Sequence, residues 1–401
     1  MNMKNAGALK DVVVLDLTRV VSGPFCTSWL GDMGATVIKI ENPGDGGDHS
    51  RASMPTINGM SAWFAALNRN KKPITLNLKS EKGKALFLEL VKHADVVTEN
   101  FRPGVMERLG LGYEDLKKVN PKIIFASVSG YGSYGPYSQR PGYDVISQGM
   151  GGIMSLTGFP DKPPTRCGTT LGDMTAGMNL TIGILAALHA VKTTGQGQKL
   201  EVALVDSIFA LCAYEFAAYT TTGNMPTRKG NNYNQWCPYG TYKAKDGYYQ
   251  LGVGTEKHFQ ALCEQVMQMP ELARDERYIS HGKRMENRET LDAVIDSWAS
   301  AFTVQQVVEK LNAASIPSCP VYDLEDIRKD PHFTQREMIR QVDLPGYGEL
   351  TYANMPVRFF GTPLVEPQAA GDLGQYNEEV YSRYLGLDTR QIKSLRESGV
   401  I

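Results

Sequence analysis

"VVVLDLTRVVSGPFCTSWLGDMGATVIKIE", residues 12–41, decides the fold. Two β-branched runs, VVVLDL at 12–17 and TVIKIE at 36–41, flank a helical pattern from Pro24 to Asp32. Pro24 falls in a first helical turn, where its missing N–H is no loss. Strand, helix, strand is the βαβ unit, whose strands lie parallel with both faces covered. The rhythm continues through PITLNL at 73–78, DVVTEN at 95–100 and KIIFASVSG at 122–130. Helical patterns at Ser61–Leu67 and Glu81–His93 lie between those runs. The expected class is α/β, with a Rossmann-like large domain.

After about residue 140 the pattern changes. A glycine-rich stretch leads into GTTLGDMTAGMNLTIGILAALHAV at 168–191, a long apolar, small-residue helix with one acid, Asp173. A further strand and helix follow in KLEVALVDSIFALCAYEF. The polar TTTGNMPTRKGNNYNQWCPYG reads as a linker. GTYKAKDGYYQLGVG reads as a hairpin turning at Lys245–Gly247, and helical patterns run from Glu256 to Met267 and from Asn287 to Ala314. The expected organisation is residues 1–222 as the first part of a large domain, 223–320 as a smaller α+β domain, and 321–401 as a return to the large one.

Composition narrows the function classes. The net charge of −1 argues against a nucleic-acid partner or a basic membrane binder. The six cysteines form no CxxC pair, so neither a disulfide framework nor a structural zinc site is expected. The N-terminus carries no signal-type stretch, and polar residues interrupt the longest apolar run at Gly177, Asn179 and Thr181. A cytoplasmic protein outside the membrane is the expectation.

The motifs exclude more. GYGSYG at 130–135 matches GxGxxG, but Pro136 and Pro141 follow where a dinucleotide turn needs a helix. No phosphate-cradling GxxxxGK[ST] and no GxSxG elbow occur. The six histidines show no metal spacing, and His189 reads as a packed core residue. Asp173 is left with two readings. It caps the helix through its carboxylate, or it is a nucleophile kept ionised by the helix N-terminus, with Gly172 giving a ligand room. The two are compatible.

Five separate blocks resemble the class III coenzyme A transferases, the CaiB/BaiF type that includes formyl-CoA:oxalate CoA-transferase and the α-methylacyl-CoA racemases. They are VLDLTRVVSGPFCTSWLGDMGATVIKIENPGDGGDHSR, NRNKKPITLNLKSEKGK, ADVVTENFRPGVMERLGLGYEDL, GYGSYGPYSQRPGYD and GDMTAGM. The resemblance implies that Asp173 attacks an acyl-CoA thioester, giving a mixed anhydride and then an aspartyl-CoA thioester, before CoA passes to a small carboxylic acid. Coenzyme A is then a substrate, with no tightly bound cofactor and no metal. Carried over by position, its contacts are Val20, Val21, Leu76, Lys79, Asn100, Phe101, Arg108 and Leu109, with Tyr143 and Asp144 near Asp173. Lys79 and Arg108 are the expected phosphate and adenine contacts, with Leu76 and Lys79 at the end of their strand. The resemblance also implies an interlocked homodimer.

Three departures bear on specificity. Asn42 stands where the formate enzyme has an arginine, so one CoA phosphate contact is either missing or supplied by Arg51. A run of four glycines is missing from NNYNQWCPYG, so oxalate specificity is not supported. Racemases carry a histidine in a GHD stretch, and here PGYD puts Tyr143 there, a poor proton shuttle at neutral pH. Transfer is therefore expected over racemisation. Loops 47–60 and 224–240 are the expected acid pocket.

Overall fold

The structure is a computed structural model describing residues 7–401. Residues 1–6, on which part of the signal-segment reading falls, lie outside the described residues. Two compact units form. One takes the chain up to Ile153, Arg166–Gly223 and Thr334–Ile401; the other takes Met154–Thr165 and Asn224–Phe333. The segment after Ile153 thus leaves the first unit early. Composition marks linkers, but not which core a short segment packs on.

The main sheet of the first unit holds six strands: β1 (Val13–Asp16), β2 (Thr36–Glu41), β3 (Lys71–Thr75), β4 (Val96–Glu99), β5 (Ile124–Ser129) and β6 (Lys199–Ala203). Their order is β3-β2-β1-β4-β5-β6, every neighbour parallel. That is the doubly wound order. The strand order reverses its sense of progression between β1 and β4, and a crevice opens beyond the strands' C-terminal ends there. Successive residues face opposite cores, so the strands read as unbroken apolar runs. Leu15, Ile38, Val97 and Phe125 pack with Phe87 and Tyr381 on one face. Val14, Val37, Val96 and Ile124 pack with Leu180 and Ile184 on the other. The C-terminal segment is tied to β3, since the Tyr381 hydroxyl donates to the Thr75 carbonyl at 2.7 Å.

Two expected elements end early. β3 stops at Thr75, not at 78, because the Asn77 side chain accepts the Lys79 N–H at 3.0 Å and turns the chain. The helical run expected over 287–314 is two helices, Arg288–Ala299 and Val304–Ala313. Thr303 and Gln306 form a capping box that starts the second.

Five helices of the first unit matter for the site. They are α1 (Ser22–Asp32), α2 (Asp144–Met150), α3 (Leu171–Thr194), α4 (Leu204–Leu211) and α5 (Ala213–Thr222). Contrary to the sequence reading, α3 is long and apolar enough, by length and composition alone, to cross a membrane. One side of it packs on the sheet through Ala176, Leu180 and Ile184. At Gly177 a side chain would start 2.7 Å from the Ser22 carbonyl, so the α1 and α3 backbones touch there. The opposite side exposes Met178 and Ile182.

The second unit is α+β. The hairpin of β7 (Tyr239–Lys243) and β8 (Tyr248–Gly252) closes through the Ala244 N–H donating to the Gly247 carbonyl at 2.9 Å. β9 (Ser318–Pro320) pairs antiparallel with β8. Tyr249, Leu251, Phe259, Ile295 and Val307 fill its core.

Candidate active site

Asp173 is the third residue of α3, not its cap. The cap position falls to Thr170, whose side chain makes no capping bond. Another residue does that work from outside the helix. Asp144, at the start of α2, accepts the Gly172 N–H at 2.7 Å through Oδ1. Its Oδ2 accepts Gln148 Nε2 at 2.8 Å, and Gln148 Oε1 accepts the Cys167 N–H at 2.8 Å. Gly172 leaves room for this contact. A Cβ there would sit 2.2 Å from Ser147 Oγ and 3.2 Å from Asp144 Oδ1.

The charge state differs too. The sequence reading has the helix end holding Asp173 ionised. Burial, and then the neighbouring Asp144 carboxylate, instead push its pKa from 3.8 up to about 7, with the Ser22 hydroxyl pulling the other way. A helix N-terminus contributes only about 0.3–1 kcal/mol to an anion, and here two carboxylates share it. Removing a carboxylate from water costs more.

A cavity of about 270 Å³ opens at Asp173. Three loops at the strands' C-terminal ends wall it: Arg19–Ser22 after β1, Asn100–Pro103 after β4, and Ser129–Gly130 after β5. Ser138 and Arg140–Tyr143 complete it. This is the crevice that the strand order predicts. The first two loops are clamped together. The Arg19 N–H donates to Asn100 Oδ1 at 2.8 Å, and Asn100 Nδ2 donates to the Arg19 carbonyl at 2.7 Å. The Phe101 N–H is held at 2.7 Å by Glu99, whose carboxyl burial pushes up to about 8.

Of the residues singled out from sequence, Val20, Val21, Asn100, Phe101 and Tyr143 line the cavity with Asp173. Leu76, Lys79, Arg108 and Leu109 do not. Leu76 is buried in the core and Leu109 packs against it. Lys79 and Arg108 are exposed, and Arg108 folds back over Gly104. Arg51 is held internally, so it is not free to replace the phosphate contact expected of it. Its Nε and Nη2 donate to Glu41 at 2.8 and 2.6 Å, and its Nη1 donates to the Gly371 carbonyl at 3.2 Å. His189 is exposed, not core. GYGSYG is loop, and the next helix among the described residues starts only at Asp144.

Sequence reasoning passed over Arg19, Ser22, Arg102 and Arg140. All four stand inside the quoted motifs TRVVSG, NFRPG and RPGYD. None of the three arginines is ion-paired among the described residues.

A doubly wound sheet with a perturbed carboxylate at its switch point marks an α/β enzyme that acts on a bound ligand. The profile described as CoA-transferase family III matches residues 9–377, and the chain belongs to that family. It is 38% identical over 394 residues to a succinyl-CoA–D-citramalate CoA-transferase of Chloroflexus aurantiacus, covering 98% of both chains. It is 36% identical over 413 residues to a formyl-CoA:oxalate CoA-transferase of Streptomyces coelicolor, covering 99% of this chain and 100% of that one. The solved structure of a CAIB/BAIF family protein from Brucella suis superposes with a TM-score of 0.84 at 34% identity, covering 95% of this chain and all of that one. The chain is thus a CoA-transferase by family, acting on CoA thioesters and carboxylic acids.

Proposed function

We propose that Asp173 is the nucleophile of CoA transfer and that each half-reaction passes through a mixed anhydride. The carboxylate oxygen attacks the donor thioester carbonyl, and the C–S bond breaks to release CoA thiolate. The thiolate then attacks the Asp173 carbonyl carbon, freeing the donor acid and leaving an aspartyl-CoA thioester. The acceptor carboxylate attacks that thioester and expels the thiolate again. In the last step the thiolate takes the acceptor acyl group, and Asp173 returns to its starting state. No net proton moves and no ATP is used, in keeping with the missing phosphate cradle. The observation that carries this reading is a half-buried carboxylate with a raised pKa, opening on a cavity at the switch point. The cavity suits the acyl end of the thioester. Lys79 and Arg108, exposed and outside it, are proposed for the nucleotide end of CoA, with Leu76 and Leu109 contributing backbone beside them.

Trapping tests the proposal. After incubation with an acyl-CoA and then hydroxylamine, the peptide 168–178 gains the hydroxamate mass at Asp173. An unmodified peptide under turnover removes the covalent route.

The acids are proposed to carry a second anionic group. Arg19, Arg102 and Arg140 surround the cavity without a carboxylate partner among the described residues, and guanidinium binds carboxylate bidentately. Succinyl-CoA and D-citramalate, in the name of one relative, are acids of this kind. Arg140→Met should raise KM for succinyl-CoA about tenfold and leave butyryl-CoA within about twofold. An equal rise for both donors would assign Arg140 to the CoA phosphates instead.

A homodimer and a cytoplasmic setting complete the proposal. Met178, Ile182, Phe209, Leu211 and Phe216 on α3–α5 are exposed, and α5 buries none of its residues within the chain. A second copy covering that face accounts for it. Light scattering at micromolar concentration should give twice the chain mass, and a monomer would reject the dimer.

A further inference from the structure

Val20 is a β-branched residue in a left-handed conformation, with φ of 66°. Such residues avoid that region, and strain of this kind collects where function needs the geometry. Here it lies in the wall of the Asp173 cavity, with Val20 42% exposed.

What holds it there is a buried charge pair. The Val20 N–H points at both oxygens of Asp48, 3.2 Å from each. Asp48 is 2% exposed and pairs at 3.1 Å with Lys39, which is 1% exposed. Lys39 Nζ also donates to the Thr18 carbonyl at 2.9 Å, so the pair grips the loop on both sides of Arg19. Burial pushes the Asp48 carboxyl up, but Lys39 and the Ser50 hydrogen bonds outweigh it, and the group stays ionised. A second pair lies beneath. Lys71 bonds Asp16 at 3.0 Å and donates to the Pro24 carbonyl at 3.1 Å, fixing the first turn of α1.

We infer that Asp48 is a positioning residue of the active site: by holding the Val20 N–H it keeps residue 20 left-handed, and so sets Val21 and Ser22 against Asp173. The chain between Val20 and α1 has no slack, because Val21 is the helix cap residue and Ser22 its first residue. α1 and α3 touch at Ser22 and Gly177, so a relaxed Val20 would swing Ser22 and the cavity wall away from Asp173. Among the described hydrogen bonds and ion pairs of the Asp48 side chain, Val20 is the partner that lines the cavity. It also caps the short turn His49–Ala52 through Ser50, a purely local task that the test must separate.

The inference rests on the reading of Asp173 as nucleophile. Glycine adopts positive φ without being forced. The test is therefore a cycle of Asp48→Ala, which removes both acceptor oxygens, in two backgrounds, with Val20 and with Val20→Gly, read as kcat and KM. With valine, Asp48→Ala should lower kcat about a hundredfold, the scale of a misplaced catalytic group, and shift KM less than about threefold. With glycine the same substitution should cost less than about fivefold in kcat. An equal loss in both backgrounds overturns the inference, as does full kcat for Asp48→Ala. If Asp48→Ala fails to fold because Lys39 is left unpaired, Asp48→Ala with Lys39→Met removes both charges and is read the same way. Asp173→Asn is the control. Residual full transfer there defeats the nucleophile reading, whereas an inactive Asp173→Asn beside an equal-loss cycle defeats only the role of Asp48.

Discussion

Asp173→Asn should disable the enzyme and stabilise it at the same time. The carboxyl is held at about 7, against 3.8 when free, by burial and by Asp144. Between those two values the folded protein keeps a proton that the unfolded chain has lost. Stability therefore falls as pH rises through this window, and above pH 7 the whole penalty is present. At about 1.36 kcal/mol per pH unit the ceiling is about 4 kcal/mol. Relaxation and water entry lower the realised figure to about 2 kcal/mol. Asparagine has the same shape and no charge, so it escapes the penalty. Urea unfolding of both proteins at pH 4, 6 and 8, at one protein concentration, measures the difference. The curves should nearly coincide at pH 4, and the variant should lead by about 2 kcal/mol at pH 8. Transfer should meanwhile fall by about a thousandfold or more. A gap that does not change with pH would refute the raised pKa, and a wild type more stable at pH 8 would reverse its sign.

Other substitutions probe the supports of the site. Asp144→Asn keeps an oxygen for the Gly172 N–H and removes the charge facing Asp173. As the proposed nucleophile, Asp173 would be active as the anion, so the rate rises with pH, and the acid limb of kcat/KM should move down by about one pH unit; an unmoved limb counts against the coupling. Gly172→Ala drives a methyl into Ser147 and should cost about 1–3 kcal/mol in unfolding free energy with a clear loss of kcat. Tyr381→Phe loses the bond to Thr75 and should cost about 1 kcal/mol in urea unfolding.

The sheet was legible from the alternation of apolar runs and helical patterns, because a parallel sheet buried on both faces leaves that mark on its sequence. The hairpin at 245–247 was legible from its turn residues. The element ends were not. β3 stops at Thr75 because of one side-chain bond at Asn77, and no periodicity reports that. The site was half legible. Motif blocks pointed to Val20, Val21, Asn100, Phe101 and Tyr143, all on the cavity. They could not show that Asp144 reaches across from another helix to cap α3, because that contact joins residues 28 apart. For the same reason Asp173 reads from sequence as a self-capping anion and in the fold as a carboxyl near neutrality.

That near-neutral carboxyl reopens the choice between transfer and racemisation, since a group with a pKa of about 7 can carry a proton as well as attack carbon. The cavity argues for attack. Racemisation needs one group to remove the α-proton and another to return it on the opposite face. The ionisable side chains lining the cavity are Asp173, Arg19, Arg102, Arg140 and Tyr143. Arginine does not give up its proton, and Tyr143 is 75% exposed, its side chain standing in solvent. Asp144 is turned into the start of α3, with both oxygens occupied. One adjustable group is enough for a nucleophile and one short of a racemase. The raised pKa then has its own use. A half-buried carboxylate that is costly to keep charged gains more from forming the proposed neutral anhydride than a well-solvated one does. The environment that destabilises the resting anion would thus favour the proposed attack.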